Sequence, residues 1–386
     1  SVEVNMQIKN MLSKIRNITN NKKQHGYYNK EMIALMNSII QNQEKINEQN
    51  EAMLRDIQIR VNDIQDRAYD LLWQQKTKTY QRDLMFWQLY KKESENIKDA
   101  KLRFFKELPK ATGNARKMQL VINSLLSYIK NVCEQNNIPY WLDFGTLIGA
   151  YRHQGFIPWD DDIDIGMIRK DAEKLMSILQ GREEIFVRAM FLNRINEPGV
   201  IRVFQVRWAD TEKGPYKGFV DIFYYDYCEL DAVKNWEWMI ETRKKMEKDS
   251  IALPQPVKDS DSLKQEVQNQ YKTLYDTYNV QVQEKLKISD EPKAYIVWGF
   301  DNFNYIFHAD KHIVSRDTIF PLNKMEFEGE IYSVPNHYEE YISKMYEDIL
   351  ALPSDMLAHK HVELSERNLA CLEILYKKYC LKRGVY

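Results

Sequence analysis

The chain has 386 residues, with 55 lysines and arginines against 56 aspartates and glutamates, a formal net charge of −1 and a pI near 6.7. That balance carries no electrostatic footprint for nucleic acid or for an anionic membrane, so neither is expected as a partner. Four cysteines, Cys133, Cys228, Cys371 and Cys380, lack metal-ligand spacing and are too few for a disulfide scaffold, and they read as reduced, buried thiols of a cytoplasmic protein.

The chain begins at Ser1, not at methionine, so an upstream part is expected; its first residues show no signal-peptide pattern, and no apolar run is long enough to span a bilayer. Between Gly26 and Pro109 there is neither glycine nor proline, and the interval is helix by propensity alone. Apolar residues recur at Met32, Met36, Ile39, Ile46, Met53, Ile57, Val61, Ile64, Ala68 and Leu71, with Gln43 and Asn50 at the two skipped positions. Steps of four and three alternate, with one additional step of four from Ile57 to Val61, which is a heptad seam with a stutter. So narrow a stripe on so polar a helix does not stabilise a monomer. It predicts a coiled coil between chains, in which Gln43 and Asn50 trade stability for register; an arm packed back on its own domain is the alternative. Past Leu72 the seam fails, and Met85, Phe86, Trp87, Leu89 and Tyr90 predict a helix end that docks on the globular part. Glu93, Glu95 and Asp99 dilute any membrane-surface role for this stretch. Pro109 to Gly113 breaks the helix and sets the domain boundary, giving an arm over 1–110 and a globular domain over 111–386.

Met118 to Cys133 reads as an amphipathic helix that buries Leu120, Val121, Leu125, Leu126 and Ile129. The stretch from Tyr140 to Gly166 follows, and it concentrates the chemistry. Gly145-Thr146 and Gly149 punctuate an apolar run, which predicts a tight turn whose amides and hydroxyl meet a phosphate. Arg152 and His153 add a cation and a proton-bearing group. Asp160, Asp161, Asp162 and Asp164 then place four carboxylates in five residues, and the alternation Asp162-Ile163-Asp164-Ile165 puts two of them on one face of a strand. Two acids aimed the same way repel unless a cation lies between them, and a hard divalent ion with oxygen ligands answers that need. A merely solvated acidic loop would not require Phe156, Trp159 and the flanking isoleucines.

At this point the residues carry a resemblance. Gly145-Thr146-Leu147-Ile148-Gly149-Ala150-Tyr151-Arg152-His153, followed by Gly155-Phe156-Ile157-Pro158-Trp159-Asp160-Asp161-Asp162-Ile163-Asp164-Ile165, is similar to the signature of the LicD/fukutin family. Its members have a nucleotidyltransferase-like fold. They move a phosphorylated group, such as phosphocholine or ribitol phosphate, from a CDP-activated donor to a glycan.

Downstream, Asp171 to Leu179 predicts a helix, and the alternations at Ile185-Phe186-Val187 and Val200 to Trp208 predict strands joined through a turn at Glu197-Pro198-Gly199. Gly218-Phe219-Val220-Asp221-Ile222-Phe223 is a buried-looking strand with one central acid, expensive unless paired or bound to metal. The resemblance makes Asp221 the third metal carboxylate; pairing with Arg202 or Arg207 is the alternative. From 231 to about 290 the chain turns polar and helical, a helical insertion with a loop at Pro254, Pro256 and Asp259. Its Trp236, Trp238, Tyr271, Tyr275 and Tyr278 read as packing, with acceptor binding as the lesser reading. Ile319-Phe320-Pro321-Leu322, Phe327-Glu328-Gly329, Val334-Pro335, Tyr338, Tyr341, Tyr346-Glu347-Asp348 and Leu352-Pro353 follow the family's closing pattern, except that Glu347 stands where relatives carry glycine. The resemblance covers about residues 118 to 361 and does not touch the arm.

Together these readings predict an α+β protein: a nucleotidyltransferase-like mixed sheet flanked by helices, preceded by a long N-terminal α-helical coiled coil. The resemblance implies metal-dependent transfer of phosphocholine, glycerol phosphate, ribitol phosphate or a similar group from a CDP-activated donor to a hydroxyl of a cell-surface glycan, with release of CMP. Mg²⁺ or Mn²⁺ on Asp162, Asp164 and Asp221 would neutralise the diphosphate. Gly145 and Thr146 would cradle phosphate, and Arg152 would bond it. Asp160 is the expected general base, with His153 as its rival. A nucleotidyltransferase or glycosyltransferase with an Asp-x-Asp metal site is the enzymatic alternative, and it would release pyrophosphate or a nucleoside diphosphate. A dead enzyme fold kept as a coiled-coil scaffold is the third reading, opposed by the intact Asp162, Asp164, Asp221 and Arg152. Expected partners are further copies through the arm and an upstream domain or a partner glycosyltransferase, at the inner face of the cell membrane.

Overall fold

The computed structural model describes residues 28–194, 199–209, 211–212, 214–229, 234–254, 264–303, 313–346, 348–353 and 365–381. The expected turn at Glu197-Pro198, the loop at Pro256 and Asp259, and Glu347 lie outside the described residues. The chain divides into one unit ending at Met85 and a second running from Phe86.

Helix α1 (Tyr28–Tyr90) runs for 63 residues, about 95 Å at 1.5 Å per residue. Its seam residues Ile39, Ile46, Ile57 and Leu71 are all exposed. Surface pairs four residues apart, Arg55–Glu51, Arg60–Asp56 and Arg67–Asp63, add only a few tenths of a kcal/mol each, by the ~0.3–0.5 measured for such pairs. The glycine-free interval is not one helix. It breaks after Tyr90, where the Lys92 N–H donates to Glu95 and the Asn96 side chain caps α2 (Ile97–Glu107) by accepting from the Asp99 N–H at 2.9 Å. A capping asparagine competes with helix as effectively as a glycine breaks it. Within the second unit Trp87 packs with Phe105 and Leu350, flanked by Phe86, Tyr90 and Phe104, as the aromatic run predicted. Leu89 stays exposed.

Helix α3 (Gly113–Gln135) buries Val121, Leu125, Leu126 and Ile129 completely, each worth about 1.5–3 kcal/mol. The sheet follows, with β1 (Trp141–Leu142), β2 (Ile163–Ile168), β3 (Ile185–Arg194), β4 (Gly199–Trp208), β5 (Val220–Cys228), β6 (Tyr295–Trp298) and β7 (Ile313–Ser315). The order is β1-β2-β5-β4-β3, and β6 pairs with the far end of β5 and with β7. Among the described strands only β2 and β5 run parallel; the other pairings are antiparallel. The sheet is therefore mixed, as expected. Helix α4 (Phe144–His153) and helix α5 (Arg169–Leu179) connect into and out of β2. Gly166 of β2 lies under the Trp141 indole, where a Cβ would come 2.3 Å from Nε1.

The stretch expected to be a helical insertion contains helices α6 (Trp236–Ser250) and α7 (Gln265–Leu286). Tyr271 and Tyr275 are buried with Met239, Met246 and Val297, and Trp236, Trp238 and Tyr278 pack at the margin, so the aromatic set is core. Short helix α8 (Arg316–Ile319), the hairpin β8 (Asn323–Phe327) with β9 (Glu330–Val334), helix α9 (Tyr338–Met345) and helix α10 (Glu366–Leu375), with a final wide turn at Tyr376–Cys380, complete the chain. All four cysteines are buried thiols. Among the described residues no helix is long and apolar enough to cross a membrane.

Candidate active site

The stretch expected as a tight turn is instead the first turn of α4. The reason is Asp143, which directly follows β1 and accepts from the Phe144 N–H at 2.9 Å, supplying an N-cap from which the following apolar run continues as helix. Phe144 holds φ at 40°, a costly conformation for a bulky residue. It is fixed by ring contacts with Phe223 and Trp298. Gly145 and Thr146 thus sit where helix amides point outward. A Cβ on Gly145 would lie 3.1 Å from Asp160 Oδ2, so glycine lets that carboxylate approach the helix start. Thr146 is buried, and its hydroxyl accepts from the Asp164 N–H at 2.8 Å, tying α4 to β2 while its own proton remains a donor.

The loop carrying Asp160 is clamped from both sides. A Cβ on Gly149 would come 2.5 Å from the Gly155 carbonyl oxygen, so the loop lies directly against the helix. Glu328, in the β8–β9 turn, accepts from the Phe156 N–H at 3.2 Å, from Arg116 at 3.0 and 2.6 Å, and from Lys110 at 3.2 Å. Burial pushes the Glu328 carboxyl up, but the Arg116 bonds outweigh it and hold it below the usual range. Gln119 of α3 donates to the Asp160 carbonyl at 2.9 Å.

The acids converge. Asp164 stands opposite Asp221 in the parallel pairing of β2 with β5, and carboxylate oxygens of Asp160, Asp161 and Asp162 lie within 4.8 Å of one another. Burial first, then Asp160, Asp221 and Asp161, lift Asp162 well above the usual carboxylate range. Asp164 is lifted likewise, by burial, then Asp162, Asp221, Asp160 and Asp143. Beneath them Asp143 is raised to about 6 by burial, against hydrogen bonds from the Tyr225 and Tyr341 hydroxyls at 2.7 and 2.9 Å. Tyr346 is part-buried beside the same group, its hydroxyl pushed up by burial and then by Asp164, Asp143, Asp160 and Asp162. Crowded, part-buried carboxylates with only hard oxygen donors fit a Mg²⁺- or Mn²⁺-type ion.

Arg152 and His153 sit at the other end of α4, about 12 Å along the helix from Gly145. Arg152 donates from Nη1 to the Ile349 carbonyl at 2.7 Å and from Nε to His153 Nε2 at 3.0 Å, and its guanidinium lies 4.4 Å over the Phe105 ring. The other His153 nitrogen bonds the Phe105 carbonyl at 2.8 Å. Burial, then Arg152, push its pKa down to about 3, so the ring is neutral, with Nδ1 as donor. Arg202, one of the two arginines considered as a partner for Asp221, donates to Glu173 at 3.2 Å and lies 3.7 Å from Asp301. Arg207 donates to Gln205 at 2.9 Å.

Sequence reading missed Asp143, Glu328, Tyr341 and Tyr346 as parts of this site. Asp143 had a local signal, an aspartate directly before a glycine-containing apolar run. The others stood only in the closing pattern that resembles the family, with nothing local to tie them to the acids, because they arrive from the last quarter of the chain.

Comparison with known proteins adds four observations. Residues 137–259 match the family described as LicD/FKTN/FKRP, nucleotidyltransferase domain. The chain is 27% identical over 257 residues to the lipopolysaccharide cholinephosphotransferase LicD of Haemophilus influenzae, covering 62% of this chain and 92% of that protein. Over 44 residues it is 46% identical to the ribitol 5-phosphate transferase FKRP of Homo sapiens, 11% of this chain and 9% of that one. An uncharacterized protein of Rickettsia prowazekii is 44% identical over 69 residues, 18% of this chain and 26% of its own length.

Proposed function

The chain carries a domain of the LicD/fukutin family and is a LicD-type phosphotransferase, and on that premise we propose that it transfers a substituted phosphate group from a CDP-activated donor to a glycan hydroxyl, releasing CMP. The observation that carries this reading is the crowding of Asp162, directly before β2, with Asp164 on β2 and Asp221 facing it on the parallel β5. Those three residues would hold Mg²⁺ or Mn²⁺. When bound, such an ion supplies charge neutralisation for the diphosphate and the departing CMP.

The remaining roles fall to the chain's own side chains. The amides at Gly145 and Thr146 open a helix and favour a phosphate there. Asp160, beside that helix start, takes the proton of the acceptor hydroxyl, with its loop held by Gln119 and Glu328. Arg152 and His153 hold the far end of α4 against Phe105 and Ile349 and so act as positioning residues; a neutral imidazole with both nitrogens engaged is poorly placed to be the base. Because α1 exposes its heptad seam, we further infer that the arm joins copies of this chain in a coiled coil.

Screening CDP-choline, CDP-glycerol and CDP-ribitol for CMP release with a crude glycan extract tests the reading. Release from one donor, abolished by EDTA, is the expected result. Release of pyrophosphate or a nucleoside diphosphate would replace it with the nucleotidyltransferase or glycosyltransferase alternative.

A further inference from the structure

Four strands place facing residues in one row. Asp164 of β2 faces Asp221 of β5, Asp221 faces Gln205 of β4, and Gln205 faces Arg188 of β3. Facing residues share a side of the sheet, and strands lie about 4.8 Å apart, so the row runs acid, acid, amide, base over roughly 14 Å. Arg207, two residues beyond Gln205, shares that side. Gln205 and Arg207 are 5% and 4% exposed.

The Gln205 Oε1 accepts from Arg188 Nη1 at 3.1 Å and from Arg207 Nη2 at 2.9 Å. Two guanidinium nitrogens are thus within about 6 Å of each other on one neutral oxygen. The amide orients the two guanidiniums and itself carries no charge. Arg207 is also set by the Phe219 ring, 5.7 Å from its guanidinium. Asp221 faces Gln205 from the next strand. Guanidinium forks match phosphate oxygens two at a time. A diphosphate, whose phosphorus atoms share one bridging oxygen, is short enough to lie across the single strand step from Asp221 to Gln205.

We propose that Arg188 and Arg207, oriented by Gln205, form a phosphate subsite that holds one phosphate of the donor's diphosphate, while the other lies over Asp164 and Asp221. The inference rests on the phosphotransferase reading above and adds to it the residues that select a diphosphate donor.

Titration calorimetry with inorganic pyrophosphate in Mg²⁺ tests it, using the unsubstituted protein, Arg188→Gln, Arg207→Lys and Arg207→Gln, with melting curves to confirm folding. Arg188→Gln should weaken pyrophosphate binding about tenfold or more, and Arg207→Lys should weaken it less than Arg207→Gln, because an ammonium keeps charge but loses the fork. The KM for a CDP-linked donor should rise in the same order, with the acceptor KM unchanged. Unaltered pyrophosphate affinity in folded Arg188→Gln and Arg207→Lys would overturn the proposal and leave the pair a structural role; so would absence of binding to the unsubstituted protein in both Mg²⁺ and Mn²⁺. A rise confined to the acceptor KM would also overturn it, assigning the arginines to a phosphate on the acceptor. Arginine-dependent pyrophosphate binding without CMP release from any CDP-linked donor would keep the subsite and reject the CDP reading. Normal donor KM in both variants would do the reverse.

Discussion

Asp164 and Asp221 stand side by side in the sheet's one parallel pairing among the described strands. Their strands are 57 positions apart in sequence, yet the register leaves the two residues one strand spacing apart, about 4.8 Å. Two ionised acids so placed in a part-buried site favour either a shared proton or a bound cation. Asp164→Asn should therefore raise the melting temperature of metal-free protein while cutting turnover at least about a hundredfold, the effect of some 3 kcal/mol of lost transition-state stabilisation. Calorimetry and CMP release measure the two, and full turnover in this variant would refute the metal role.

Burial of the acids makes stability depend on pH. The folded-state value of about 6 for Asp143 lies above that of an unfolded aspartate, so the folded protein keeps a proton that the unfolded chain loses. Its contribution is complete below about pH 4 and is lost as pH rises through 6, by about 3 kcal/mol. Asp162 and Asp164 act in the same direction. Melting of metal-free protein at a series of pH values should show Asp164→Asn gaining on the unsubstituted chain from pH 5 to pH 8. Mg²⁺ should stabilise the unsubstituted chain more at pH 8 than at pH 5.

Base and ligand separate by binding. Asp160→Asn should remove turnover yet leave affinity for the CDP-linked donor nearly intact, whereas Asp221→Asn should weaken metal-dependent donor binding as well. Equal losses of donor affinity in titration calorimetry would make Asp160 a further ligand.

Glu328 is far from the acids in sequence but holds the Asp160 loop through Phe156. Glu328→Gln breaks a buried pair with Arg116 and should cost about 3 kcal/mol of stability. Because the Glu328 carboxyl is held below its usual range, its contribution is present above about pH 4.5 and is lost as pH falls through the folded-state value. The difference in melting temperature between the two proteins should narrow toward pH 3. A constant difference across that range would mean the ion pair contributes nothing.

For the arm, Ile39→Asp with Ile57→Asp places charges in the exposed seam of α1 and should dissociate the oligomer, leaving the globular domain folded and active on a soluble acceptor. Light scattering of the unsubstituted protein at micromolar concentration decides the premise, and a monomer there would return the arm to the packed-back reading.

Much of this protein was written locally. Periodicity set α1 and α3, alternation set β2 and β4, and Asp162-Ile163-Asp164-Ile165 disclosed an acidic strand face, because side-chain direction in helix and strand depends only on spacing. What spacing could not carry was anything that depends on a partner distant along the chain. Gly145 and Thr146 begin a helix because Asp143 caps it, and Asp143 is itself held by Tyr225 and Tyr341. Arg152 and His153 follow directly on the motif but lie a helix length from its start, packed on Phe105 and Ile349. The row from Asp164 to Arg188 crosses four strands whose order differs from their order in sequence. Strand pairing decides such neighbours through hydrogen bonds between distant segments, and no local pattern of residue types records which strands will meet.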